Sequence, residues 1–134
     1  MLRDGLALIV LDRPFDYSEY ARPVCLPSGL LDIHPGTTCE ITQWRSDTEL
    51  MSHSSVKIRS CRRKNRNVIC SDGIGVLVNN VGSPLVCKVD DGTMISYIVI
   101  GVAVTSNNNQ RRYTNVSHFT QWIRQHLGNQ HYLV

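Results

Sequence analysis

"VNNVGSPLVC", Val78 to Cys87, is the stretch from which the rest of the chain can be ordered. Gly82, Ser83 and Pro84 spell a turn, and Leu85, Val86 and Cys87 begin an apolar run. That run continues as "PLVCKVDDGTMISYIVIGVAV", the clearest hairpin in the sequence. Asp91-Gly92 supplies its turn, and β-branched residues fill its second arm. Immediately before the Gly-Ser-Pro turn stands Val81, whose side chain has neither a lone pair nor a transferable proton.

Upstream, "TTCEITQW" alternates as a strand does, with Cys39, Ile41 and Gln43 on one side and Glu40, Thr42 and Trp44 on the other. "SVKIRSC" offers another strand. Leu6 to Leu11 is a continuous apolar run bounded by charges, which predicts a buried strand. The segment between them, "RPFDYSEYARPVCLPSGLLDIHPG", holds four of the chain's 5 prolines and reads as a long surface connection. Downstream, "RRYTNV" predicts one more strand, and then the period changes. Phe119, Trp122, Ile123 and Leu127 recur at helical spacing, which predicts a helix over 117–127 with Ser117 as its cap and Gly128 as its stop. Many short strands followed by one helix imply an all-β antiparallel barrel or sandwich with a docked terminal helix.

The chain has 134 residues, 42% of them hydrophobic and 19% charged, which suits one globular domain. A net charge of +3 is too small to argue for nucleic acid. The 5 cysteines form no CxxC pair, so they read as a disulfide framework of a secreted protein with one thiol left over. The opening "MLRDGLALIVLDR" mimics a secretion signal but lacks a small-x-small cleavage site, so any signal is expected outside this sequence. The longest later apolar run, 95–104, is too short to span a bilayer, and no membrane insertion is expected. No phosphate loop, metal cluster or paired-carboxylate site is visible, so no cofactor is expected.

Four segments, in order and at compatible spacing, resemble the trypsin-like serine proteases. "DGLALIVLDRPFDYSEYARPVCLP" looks like the family's Asp-Ile-Ala-Leu-Leu strand and its Pro-Val-Cys-Leu-Pro. "GTTCEITQW" resembles the strand ending Thr-Gly-Trp-Gly. "NNVGSPLVC" resembles Gly-Asp-Ser-Gly-Gly-Pro-Leu-Val-Cys, and "RRYTNVSHFTQWIRQHL" resembles the closing strand and Trp-Ile helix. The resemblance implies a partial peptidase domain over residues 1–134: the last strand of a first barrel, a linker, and most of a second. "PGTTCEITQW" is also similar to the same strand in the plasminogen-related growth factors, the hepatocyte growth factor and macrophage-stimulating protein group, which use a dead protease domain as a receptor ligand.

The triad mechanism needs a hydroxyl nucleophile, an imidazole base and a carboxylate that orients the base. By the resemblance, the nucleophile position is Val81 and the carboxylate position is Gly5, with Asp4 reachable only through a one-residue slip that would flip the strand's faces. The segment bearing the family's histidine has no counterpart, and His34, His53, His118, His126 and His131 are expected at surface or packing positions. The oxyanion-hole glycine corresponds to Asn79, the aspartate that pairs with the freed N-terminus to Asn80, and the acidic specificity residue to Gly75. The substrate-binding edge corresponds to Val104, Thr105 and Ser106. With the whole set changed, no peptidase activity is expected by this mechanism.

The resemblance also implies bridges Cys39–Cys87 and Cys61–Cys70, with Cys25 tethered to a cysteine outside this chain; a buried free Cys25 is the other option. "CRRKNRNVIC" concentrates Arg62, Arg63, Lys64 and Arg66, with Arg59 nearby, which suits heparan sulfate or an acidic partner as well as an ordinary solvated loop. "NVS" makes Asn115 a glycosylation sequon, and Trp44, Trp122 and Tyr113 are expected in the core or at barrel edges. The expected function is therefore a secreted pseudoprotease that binds a protein, either a receptor or a regulatory target. The competing expectations are a fragment of a diverged secreted trypsin-like endopeptidase, and a decayed product that does not fold stably.

Overall fold

The computed structural model describes residues 2–3, 5–29, 32–44, 49–73, 80–104 and 110–128. Six of its strands close a barrel. The first three are β3 (Thr38–Trp44), β4 (Met51–Arg59) and β5 (Val68–Ser71); the others are β6 (Pro84–Asp90), β7 (Ile95–Ala103) and β8 (Arg111–Asn115). They run in the order β3-β4-β5-β8-β7-β6, with β6 returning to β3. The barrel is thus two antiparallel three-stranded meanders joined along two seams. One seam is β5 on β8, from Val68↔Thr114 to Ser71↔Arg111. The other, β3 on β6, is shorter, with Glu40↔Val86 and Ile41↔Leu85, and the Cys39–Cys87 disulfide crosses it.

The alternation of β3 sets its phase: Cys39, Ile41 and Gln43 are buried while Thr38, Glu40 and Trp44 are exposed. With Val56, Ile58, Ile69, Leu85, Cys87, Ile100 and Tyr113 they fill the barrel. Leu85 has no solvent exposure at all (0%), so Leu85→Ala would cost about 2–5 kcal/mol. Gly101 is where β7 passes Tyr113: a Cβ there would lie 2.8 Å from the Tyr113 Cβ.

A second apolar cluster sits outside the barrel. A 3₁₀ turn (Val116–Phe119) leads into α1 (Thr120–Leu127), which buries Trp122 and Ile123 against Leu6 and Val116. Asn115 caps this segment rather than Ser117: its Oδ1 accepts from the Ser117 N–H (3.2 Å) and from the Ser117 hydroxyl (2.8 Å). The expected helix over 117–127 therefore begins as a 3₁₀ turn and becomes α-helical only at Thr120. Gly128 ends it in a left-handed conformation (φ 65°).

Other expectations are corrected by the structure. Leu6 to Leu11 is not a continuous buried strand. Only β2 (Leu6–Ala7) is regular, paired with β1 (Leu2–Arg3), and Ile9 and Val10 are 83% and 81% exposed. Leu6 alone is fully buried because α1 supplies the surface that covers it; no described residue does the same for Ile9 and Val10. β5 lies in a stretch the sequence suggested was loop. The hairpin of β6 and β7 closes at Asp90↔Ile95, which leaves a four-residue turn at 91–94 instead of two residues. Asp91 organises that turn by accepting from the Thr93 hydroxyl (2.7 Å), the Thr93 N–H (2.9 Å) and the Met94 N–H (2.8 Å). The Thr93 hydroxyl, ahead of the two N–H groups, pulls the Asp91 pKa down to about 2.

The long connection runs over the surface and touches the barrel through its backbone at Cys25, where the Cys25 N–H donates to Tyr97 O and the Val99 N–H donates to Cys25 O. Among the described residues, no helix is long and apolar enough to cross a membrane.

Candidate functional site

The turn at 80–83 is held on several sides. Inside it, the Ser83 N–H donates to Asn80 O (3.1 Å) and Gly82 takes φ 93°, which a side chain would oppose. Outside it, the Gly82 N–H donates to Ala103 O and the Ala103 N–H to Ser83 O, both at 2.8 Å. Asn80, itself buried, accepts from the Trp44 N–H at 3.2 Å. Val81 stands at the tip, 62% exposed.

Gly5 is brought to the same end of the barrel. A Cβ on it would lie 2.8 Å from Thr114 Oγ1 and 3.1 Å from Val104 Cγ1, and Val104 follows the residue to which the Val81 turn is bonded. Its φ of 86° is left-handed as well. Neighbouring strands and a positive φ therefore both oppose a carboxylate at this position. Asp4, Gly75, Asn79, Thr105 and Ser106 lie outside the described residues.

The histidines do not gather. His34, His53, His118 and His126 are each exposed at the surface. His126 is held by Trp122, with Nδ1 2.7 Å from the Trp122 carbonyl and the rings 5.0 Å apart. His131 lies outside the described residues. Trp122 and Tyr113 are buried, while Trp44 is exposed at the end of β3.

A second surface forms around the Cys61–Cys70 disulfide, which closes the basic loop. Arg62, Arg63, Lys64 and Arg66 are all exposed there. Arg59 is not free for a ligand in the same degree, because its Nη2 pairs with Asp72 at 3.4 Å. Gln110 and Asn115 fasten the loop by donating to Ser60 O (2.8 Å) and Arg66 O (3.1 Å). A groove of about 700 Å³ runs beside it, with Ile33, Ile58 and Ile69 below and Lys64, Arg66 and His118 at the rim. The atom of Asn115 to which a glycan would attach is the one donating to Arg66 O, so glycosylation would have to break that bond. Cys25 is an exposed thiol with no disulfide partner in this chain, not a buried one.

One residue escaped sequence reasoning. Arg111 is buried (8% exposed), and its Nε and Nη1 are sealed from solvent without a hydrogen-bond partner among the described residues. The period-2 phase of "RRYTN" carried the signal: Arg111 shares a face with Tyr113, which points inward.

The trypsin family model matches residues 2–123. The chain is 26% identical over 143 aligned residues to the bovine (Bos taurus) suppressor of tumorigenicity 14 protein homolog; the match takes in 92% of this chain but 17% of that protein. Among solved structures, a mutant of human heparin-binding protein superposes with a TM-score of 0.73 at 22% identity, over 89% of this chain and 56% of that one. The chain thus spans about a sixth of the first relative and about half of the second.

Proposed function

The chain belongs to the trypsin family, and on that premise we propose that it is a pseudoprotease that works by binding a protein. The observation that carries this is the turn at 80–83. Its backbone frame is intact, yet the exposed tip where the family's mechanism needs a hydroxyl is Val81. The closed space around Gly5 supports the same reading, since a carboxylate there would meet Thr114 and Val104.

The proposed partner is a receptor or regulatory protein outside the cell. Two disulfides and the family assignment support the extracellular setting. The exposed Cys25 supports a covalent link to an upstream chain. The four free charges of the Cys61–Cys70 loop support heparan sulfate as an additional ligand; the case rests on those charges and owes nothing to the shared fold.

The test is a fluorophosphonate probe, which reacts with activated serine hydroxyls. The secreted protein should remain unlabelled beside an active trypsin control, and stoichiometric labelling would refute the pseudoprotease reading.

A further inference from the structure

Buried guanidinium groups are ordinarily paired, because an isolated buried charge is costly. Arg111 lacks such a pair among the described residues. Its side chain lies against the backbone of Gly73: a Cβ at that position would stand 2.6 Å from Arg111 Nε and 2.9 Å from Cζ. The missing side chain at Gly73 is therefore what makes room for the guanidinium.

The polar groups around it are engaged elsewhere. The Ser71 hydroxyl, whose residue is paired with Arg111 across β5 and β8, donates to Asp72 O (2.9 Å) and lies 3.1 Å from the Tyr113 hydroxyl. The Asp72 carboxylate accepts from the Lys57 N–H (2.7 Å) and pairs with Arg59. Arg111 also opens β8 at the barrel end that carries the Val81 turn, since the next residue's carbonyl accepts from the Val104 N–H.

We propose that Arg111 is the anchor of a carboxylate-binding site, occupied when a protein ligand presents an acidic side chain or a C-terminal carboxylate. The inference rests on the binding reading above and names the chemistry of the partner. A single buried positive charge is matched by a single negative one. The planar carboxylate also fits the planar guanidinium, whereas a doubly charged phosphate would leave a net charge buried. Binding would supply acceptors for Nε and Nη1, the two donors that now have none.

The experiment is an NMR titration of the arginine Nε–Hε signals in the secreted protein. Three short peptide sets are the probes: acidic side chains with amidated C-termini, neutral sequences with free C-termini, and neutral amidated controls. Heparin fragments form a fourth arm. The Arg111 signal should shift saturably with one of the first two sets, which identifies the carboxylate's source, and not with the controls. Arg111→Lys should weaken that binding by about ten-fold, because an ammonium keeps the charge but loses the fork.

A signal unmoved by either carboxylate set overturns the site, as does a signal moved only by heparin. Should Arg111→Lys fail to fold, the wild-type titration alone decides. Failure here is distinguishable from failure of the pseudoprotease reading: a probe-inert chain that shows no Arg111 shift loses this site alone. Fluorophosphonate labelling instead removes the reading on which it rests.

Discussion

Putting an aspartate at Gly5 asks whether the empty carboxylate position can be refilled. Aspartate tolerates left-handed backbone better than most residues, so a φ of 86° costs about 1 kcal/mol. The Cβ would also sit 2.8 Å from Thr114 Oγ1 and 3.1 Å from Val104 Cγ1, a degree of overpacking worth about 1–3 kcal/mol. The sum, about 2–4 kcal/mol, is a large part of an ordinary domain's stability. For a chain of 134 residues it corresponds to a fall in thermal midpoint of roughly 6–20 °C. Urea and thermal unfolding, followed by tryptophan fluorescence, would compare wild type, Gly5→Ala and Gly5→Asp. The same substitutions in a Thr114→Ala background separate backbone strain from crowding, since that background removes Oγ1, and should return about 0.5–2 kcal/mol. If Gly5→Asp proves as stable as wild type, or the background returns nothing, the site is not sterically closed and the reasoning fails.

Breaking the Cys39–Cys87 bridge, with a sequence separation of 48, should cost about 1.4 kcal/mol more in loop entropy than breaking Cys61–Cys70, with a separation of 9. Urea midpoints of the two double-alanine variants check this, and an equal or reversed order would contradict it. The carboxyl signal of Asp91 should titrate near 2 rather than its ordinary 3.8. Its folded pKa is depressed, so its contribution to the hairpin is complete above about 4 and is lost as pH falls through about 2. Thr93→Ala should return the midpoint toward 3.8, because the Thr93 hydroxyl bond is the largest cause of the shift. Reversing the charges of Arg62, Arg63, Lys64 and Arg66 should abolish retention on a heparin column and flatten its salt dependence. Unchanged retention would leave the loop an ordinary solvated surface.

How much could be read in advance depended on whether a residue's environment is local. The alternation of Thr38–Trp44 and the helical spacing of Phe119, Trp122 and Ile123 each report their own buried face, and the structure buries those residues. Leu6 to Leu11 failed because apolar character states a preference, while burial needs a covering surface. α1 supplies one for Leu6, and no described residue supplies one for Ile9 or Val10. β5 was hidden by its four-residue length and its position directly after a basic loop. At the site, the identities of Val81 and Gly5 were legible, but the crowding around Gly5 was not. It arises from Thr114 and Val104, about a hundred residues away in the chain. Arg111 was passed over because an arginine beside another arginine reads as solvated. Only the pairing of β5 with β8 turns it inward.

The two-meander barrel also fixes an order of events during synthesis. β3, β4 and β5 emerge first, and until β6, β7 and β8 follow, the inner faces of Ile41, Val56, Ile58 and Ile69 have nothing to close against. The Cys61–Cys70 pair lies wholly within or beside that first half and can oxidise early, whereas Cys39 must wait for Cys87 to arrive across the short seam. During that interval Cys39 and the surface thiol Cys25 are both reduced, so a Cys25–Cys39 cross-link is the natural misfolded product. A disulfide isomerase that resolves it would then set the yield of native protein, and the barrel's closing seam would be the slow step of its biogenesis.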